Sequence, residues 1–406
     1  MGYELDAAAT GRLGDYFGEI GAVLRDKRKR ASFATYAFGI LGEGDRKSAE
    51  PIAARACGDP DLANAYHERL LHFLAKAKWD DTKVRRIAAR HALKAMEAQA
   101  GERADVWIVD DTGLLKQGEH SVGVQRQYTG SAGKIANCQI AVTLSAATSN
   151  DCVPVDVSLY LPESWTSDPA RRRKARIPDA EPFASKVDLA VGMVCRACLD
   201  GITGDIMLAD SAYGESSQFR KSMRLYGFDY AVGVRCLTKV FPIDSQGRMR
   251  EKISVRDLGE RLGPKAFRRH SWRDGTKGRL SGRFCFRRVK AAHDDGTIVD
   301  EREEQWLIIE WDEDRDKMQF HLTTLPRRMS KKKIIRILKE RWKTERVYQE
   351  LKGELGFDHF EGRSWPGWHH HVSVVLSCYA FVVAERARRF SPSQTTTTYD
   401  PQQCAA

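Results

Sequence analysis

The chain has 406 residues, and 66 Lys and Arg against 55 Asp and Glu leave a net charge of +11. That length exceeds one ordinary domain and can bury a substantial core. No run of about 18 apolar residues offers a membrane span, the first residues lack a secretory pattern, and the simplest location is a bacterial-type cytoplasm. Nine cysteines, an odd and scattered set, form no disulfide framework. Cys195 and Cys198 make a lone C-x-x-C without a second pair at zinc-site spacing and are expected to be ordinary buried thiols. The positive balance fits a polyanionic partner, although a weakly cationic soluble enzyme has the same balance. Basic clusters at Arg25 to Arg30, Arg171 to Arg176, Arg327 to Lys333 and Arg386 to Arg389 fit a protein that follows a nucleic-acid backbone.

Residues 1–103 are Ala-rich and helical in pattern, with breaks at Gly42-Glu43-Gly44 and Gly58-Asp59-Pro60. Short helices with basic ends suit a DNA reader of the helix-turn-helix kind; a helical scaffold is the competing view. From residue 104 the pattern changes to strands, at Val106–Asp111, Ile135–Leu144 and Val153–Leu161. A helix over Phe183–Leu199 crosses to a strand at Ile206–Ala209, and a helix over Ser217–Leu225 leads to a strand at Tyr230–Val234. Crossovers of this kind join parallel strands. Strands at Val240–Ile243, Arg283–Val289, Gln305–Trp311 and Gln319–Thr324 lie among Gly- and Asp-rich turns. Residues 319–390 close with helices, the last over Val372–Arg388, and 391–406 form a polar tail expected to be disordered.

Three acidic motifs carry the chemistry. Val106-Trp107-Ile108-Val109-Asp110-Asp111-Thr112-Gly113 is an apolar strand that ends in paired carboxylates, and Asp205-Ile206-Met207-Leu208-Ala209-Asp210 repeats the design. Buried parallel strands read as continuous apolar runs, and ligands bind outside the carboxyl ends of such strands. The third motif places Leu338, Arg341, Glu345 and Lys352 within one narrow sector of a helix, beside an apolar stripe of Ile337, Thr344, Tyr348, Leu351 and Leu355. A solvated helix face with i,i+4 pairs explains the third motif alone, and a single strand-end Asp is more often a cap or turn former. The three acids in this order are more specific than any one of them.

With these motifs the chain resembles bacterial insertion-sequence transposases of the DDE class, in the subgroup whose third acid lies in the signature Y-(2)-R-(3)-E-(6)-K. Leu338 stands where that signature has Tyr, and Trp342 matches a common feature of the subgroup. Asp110-Asp111-Thr112-Gly113, the run Gly123 to Tyr128, and Gly362-Arg363-Ser364-Trp365 with Gly367-Trp368-His369-His370-His371 resemble one branch of these elements. The resemblance covers roughly residues 30–385.

It implies an α/β fold: an RNase H-like mixed sheet flanked by helices, with an N-terminal all-helical domain and a β-rich insertion. The expected division is 1–103 helical and DNA-binding, 104–235 and 319–390 the catalytic core, and 236–318 the insertion. Asp111, Asp210 and Glu345 are the expected catalytic and metal-binding acids, Asp111 because the family's acid is taken as the residue before Thr. Asp110 then faces the other side of the strand. Two Mg²⁺ or Mn²⁺ ions are the expected cofactors, since hard ions take oxygen ligands and a pair of them serves in-line displacement at phosphorus. Arg341 and Lys352 are expected to grip DNA phosphates.

Double-stranded DNA, as transposon ends and target, is the implied partner, with a homodimer assembled on it, no membrane, and a nucleoid-associated location. Trp272, Trp306 and Trp311 are candidates for stacking on a displaced base, a packed sheet tryptophan being the alternative. The three consecutive histidines are not expected to bind one metal, because adjacent side chains of a regular element diverge. The rival functions are a catalytically inactive DNA-binding derivative and a metal-dependent endonuclease without strand transfer.

Overall fold

A computed structural model of the chain describes residues 6–275, 278–293, 303–312 and 317–389. It divides into two compact units, one of Met1–Ala104, Asp111–Ala184 and Glu345–Ala406, the other of Asp105–Asp110 and Ser185–Thr344. Two elements pass from one unit to the other: strand β1 (Val106–Leu115), between Asp110 and Asp111, and helix α13 (Trp342–Gly353), between Thr344 and Glu345. Among the described residues no helix is long and apolar enough to cross a membrane.

The first unit opens with helices α1 (Ala7–Leu24), α2 (Lys27–Leu41), α3 (Ala49–Ala56), α4 (Ala63–Ala75) and α5 (Asp81–Ala100). The side chains of Asp6, Asp26 and Asp80 accept backbone N–H groups at the starts of α1, α2 and α5, satisfying donors that a helix leaves orphaned. Gly101 ends α5 at φ 65°, where an L side chain would be strained. The alanines of this region have a packing role. Ala95 of α5 forms an apolar cluster with Ala384 and Ala387 of α14 (Trp365–Arg389), and small side chains allow the two helices to approach closely. Tyr16 Oη donates to Ser377 O at 3.0 Å and Arg12 pairs with Glu385 at 2.5 Å, so α1 is also tied to α14.

The same unit contains β2 (Gln125–Thr129), β3 (Lys134–Ala147) and β4 (Cys152–Tyr160), then the short helices α6 (Glu163–Thr166) and α7 (Pro169–Ala175). β2 and β4 run antiparallel to successive stretches of β3, with Tyr128 opposite Ile135 and Leu159 opposite Ala141. Buried Asp156 on β4 meets Arg85 Nε at 3.3 Å and Arg86 Nη2 at 3.6 Å, so an ion cluster sits between β4 and α5. A charge so placed is tolerable only when paired.

In the second unit, α8 (Lys186–Leu199), β5 (Ile206–Ala209), α9 (Ser211–Gly214), α10 (Ser217–Leu225) and β6 (Asp229–Val234) follow in order. β5 is parallel to the first half of β1 and to β6, the arrangement that helical crossovers allow. β7 (Lys239–Pro242), β8 (Ile253–Ser254), α11 (Val255–Leu262), β9 (Arg268–Gly275), β10 (Gly278–Ala291), β11 (Gln305–Asp312) and β12 (Lys317–Thr323) come next, then α12 (Lys331–Lys339). β12 lies antiparallel to β6, and the order continues β12-β11-β10-β7-β8, with β9 also on β10. The strands of the β-rich segment thus extend the edge of β6, giving the large mixed sheet flanked by helices that is expected of an RNase H-like fold.

Several boundaries differ from expectation. The helix expected through Leu338, Arg341 and Glu345 is two helices, α12 and α13. Glu340 N, Lys343 N and Thr344 N donate three residues back, to Ile337 O, Glu340 O and Arg341 O, and these tight bonds break the α-helical path at Glu340 and Arg341. The last helix starts at Trp365, seven residues before the expected Val372, because Pro366 occupies its first turn, where its missing N–H costs nothing. α8 starts at Lys186, after a capping box of Ser185 and Asp188, and leaves Phe183 outside. The tail 391–406 lies outside the described residues.

Candidate active site

β1 and β5 are parallel and in register, Val106 with Ile206 through to Val109 with Ala209. One step further come Asp110, in the middle of β1, and Asp210, which directly follows the last residue of β5 and caps α9. Asp111 turns to the opposite face and is partly exposed, whereas Asp110 is buried.

The local sequence of each motif fixes its acid. Asp210 has extended backbone (φ −79°, ψ −173°), and its Oδ1 accepts from Ala212 N at 2.8 Å, starting α9. Behind it, a Cβ on Gly233 would stand 3.0 Å from Ser211 N, and one on Gly214 would stand 2.0 Å from Gly233 O. The missing side chains let α9 close onto β6. In the first motif, a Cβ on Gly113 would meet Thr129 Oγ1 at 1.9 Å. The Gly of Asp-Asp-Thr-Gly is therefore needed for β2 to cover β1.

Arg341, in the turn before α13, donates from Nη1 to Asp110 Oδ2 at 2.7 Å, with 33% of its side chain and 12% of the Asp110 side chain exposed. The expected phosphate-gripping arginine thus holds a carboxylate of β1. Glu345 lies in the first turn of α13 on an exposed position. Lys352, two turns further on, donates to Gly113 O and Ser131 Oγ at 2.8 Å each, and burial pushes its pKa down. Ile337, Thr344, Tyr348, Leu351 and Leu355 are all buried, as the apolar stripe requires.

Asp110 and Asp210 belong to one compact unit, Asp111 and Glu345 to the other. Among the described residues no group of three or more His, Cys, Asp or Glu side chains is gathered to hold a metal ion. The carboxylates of Asp110 and Asp210 nevertheless offer hard oxygen donors, of the type that Mg²⁺ or Mn²⁺ takes. Sequence reading took Asp111 of this pair as the metal-binding acid; the structure gives Asp110 the Arg341 partner. The signal was present: Val106 to Asp110 and Ile206 to Asp210 are apolar runs of equal length, each closed by Asp.

The remaining candidates have structural partners. His369 Nδ1 lies 3.0 Å from Trp365 O, His370 Nδ1 2.8 Å from Leu74 O, and His371 Nδ1 2.9 Å from Tyr36 Oη with Nε2 3.1 Å from Gly356 O. The three rings diverge, and burial holds all three pKa values below the ordinary histidine value. Trp272 packs edge-on to Phe284 beneath the Lys339 ammonium, Trp306 packs on Phe286 and Trp311 on Phe267. Cys195 and Cys198 are free and only half buried. In the basic clusters, Arg386 pairs with Asp151 and Glu350, and Arg171 stacks on Trp165.

Comparison with known proteins shows the family of the chain. Residues 19–279 match the family described as DDE superfamily endonuclease, and residues 193–381 match the one described as transposase DDE domain. The chain is also 27% identical over 211 residues to the probable transposase for insertion sequence element IS701 of Microchaete diplosiphon, a match covering 52% of this chain and 50% of that protein. The matched region is therefore half the length of that curated relative. With its first family match spanning most of its length, the chain belongs to the DDE superfamily endonucleases.

Proposed function

We propose that this protein is an insertion-sequence transposase that binds the DNA ends of its element, hydrolyses the phosphodiester there and joins the freed 3′ ends to target DNA. The observation that carries the reading is the in-register parallel pairing of β1 with β5, each followed in register by an aspartate, Asp110 and Asp210, with Arg341 on Asp110, in a chain of the DDE superfamily. Asp210 and Glu345 remain the second and third catalytic acids. Sequence alone put Asp111 first; the Arg341 bond and the burial of Asp110 favour Asp110 instead.

Together these carboxylates would hold Mg²⁺ or Mn²⁺, two ions in this reading, which when bound supply an activated water and neutralise charge on the leaving oxygen. The protein's own groups orient that chemistry. Arg341 holds Asp110 Oδ2 and so orients the carboxylate. Lys352, anchored on Gly113 O and Ser131 Oγ, keeps a positive charge beside β1 for a DNA phosphate. A homodimer on paired ends completes the proposal.

The test is incubation of a supercoiled plasmid carrying the element's terminal repeats with the protein and Mg²⁺. End-specific cleavage followed by joined products is expected, and Asp210→Ala and Glu345→Ala should abolish cleavage while keeping end binding. Cleavage scattered over the plasmid without joining would replace the transposase by a nuclease, and binding without cleavage would replace it by a DNA-binding derivative.

A further inference from the structure

Two segments with no part in the proposed chemistry, Leu115 to Ser121 and Asp358 to Arg363, come together in the first unit around a cavity of about 490 Å³ that Arg46 also lines. None of Asp111, Glu345 and Lys352 lines it. The join is built from directional bonds. Lys116 Nζ donates to Asp358 O at 2.8 Å and Phe360 O at 2.7 Å, and Ser121 Oγ donates to Gly362 O at 3.2 Å. Asn137 Nδ2 donates to Lys116 O and Gly118 O at 2.9 and 3.0 Å, pinning the loop from behind. An ammonium has three N–H donors, and the two carbonyls leave the third for a ligand.

The lining is cationic. Arg46 is offset by Glu361, on which its Nε donates at 3.1 Å. Lys116 and Arg363 add two positive charges, His120 a further N–H donor, and Asp358 one carboxylate, whose Oδ1 lies 3.8 Å from His359 Nε2. Burial pushes Lys116 down to about 8, and neighbouring Arg46 acts in the same direction. An anion in the cavity would relieve both effects.

We propose that this cavity is a phosphate-binding subsite, which takes a phosphodiester of bound DNA between Lys116, Arg363 and His120. The assignment to DNA rests on the function proposed above; the phosphate chemistry does not. A pre-formed oxyanion seat of this kind fixes the register of a strand without reading its bases.

The test uses the full chain and two exposed positions, Arg363→Gln and His120→Gln, with Arg363→Lys as the conservative control. Binding to a short terminal-repeat duplex is followed by fluorescence anisotropy in EDTA across a salt series. For Arg363→Gln, the slope of log K against log salt should become shallower by about 0.9, with several-fold weaker binding, and Arg363→Lys should restore the wild-type slope. In parallel, inorganic phosphate is titrated into wild type and Arg363→Gln and followed by ³¹P line broadening. Loss of phosphate binding in the variant with unchanged duplex binding would keep the subsite but overturn DNA as its occupant. Unchanged duplex slope together with no variant-sensitive phosphate binding would overturn the proposal altogether. A plasmid left uncut would refute the transposase reading alone, because both binding assays run without metal.

Discussion

Replacing Asp110 by Asn, beside the matching Asp111→Asn, separates a carboxylate that supports chemistry from one that only supports the fold. Asn keeps the shape and removes the charge that faces Arg341. The Asp110–Arg341 pair, with 12% and 33% of its side chains exposed, lies between an open surface pair and a buried one. Surface pairs contribute about 0–1 kcal/mol and breaking buried ones costs about 3–5 kcal/mol, so a loss of about 1–2 kcal/mol is expected here. Against a usual stability of about 5–15 kcal/mol, Asp110→Asn stays folded. Loss of a metal-binding acid should by contrast cost at least about 4 kcal/mol of barrier, a thousandfold in rate.

Urea unfolding and metal-dependent nicking of an end substrate, measured on the same preparations, read the two effects separately. Asp110→Asn is expected to show a small stability loss and no detectable nicking, with Asp111→Asn retaining most activity. Full activity in Asp110→Asn with none in Asp111→Asn would return the first acid to Asp111 and reduce the Arg341 pair to a structural contact.

Gly113→Ala forces a methyl group against Thr129 Oγ1, and overpacking of this kind costs about 1–3 kcal/mol; an unchanged thermal midpoint would refute the close approach of β2 to β1. Acid should destabilise the protein well before its carboxylates titrate. His371 is buried, His321 is partly buried with both ring nitrogens shielded from solvent, and desolvation holds both down to about 3, below their ordinary value near 6.5. Between those limits the unfolded chain binds more protons, so stability rises with pH through this window and is lost as pH falls below 6.5, by up to about 1.4 kcal/mol per unit for each histidine. A urea midpoint that stays flat from pH 7 to 5 would contradict their neutral burial.

Elements marked by strong local pattern were legible in the sequence. β5 and α10 match their expected spans because a four-residue apolar run and a capped amphipathic turn leave little choice. The α12–α13 break has no Gly or Pro to announce it; charged Glu340 and Arg341 sit comfortably in a helical pattern, and only the three-residue hydrogen bonds reveal the turn. Pro366-Gly367 misled in the opposite direction, since Pro is as much at home in a first helical turn as outside a helix. The choice between Asp110 and Asp111 depended on which strand β1 pairs with, a long-range property. Once the partner is β5, counting from Val106 and from Ile206 puts Asp110 and Asp210 each one residue beyond the last paired residues. The phosphate cavity was illegible for a similar reason, because Lys116 and Phe360 are far apart in the chain and meet through carbonyl oxygens that carry no residue identity.

The bonds from Tyr16 to Ser377 and from Arg12 to Glu385 span 361 and 373 residues. During synthesis the first helices therefore emerge long before the helix that completes their core, and they must wait with apolar faces uncovered while nearly the whole protein is made. A polypeptide that stops short of α14 cannot bury Ala95, Tyr16 or Arg85 as the full chain does. Shortened copies of this gene would thus yield aggregation-prone or degraded chains, not a folded amino-terminal fragment able to occupy the same partners. Folding of α1 thus depends on translation continuing through α14.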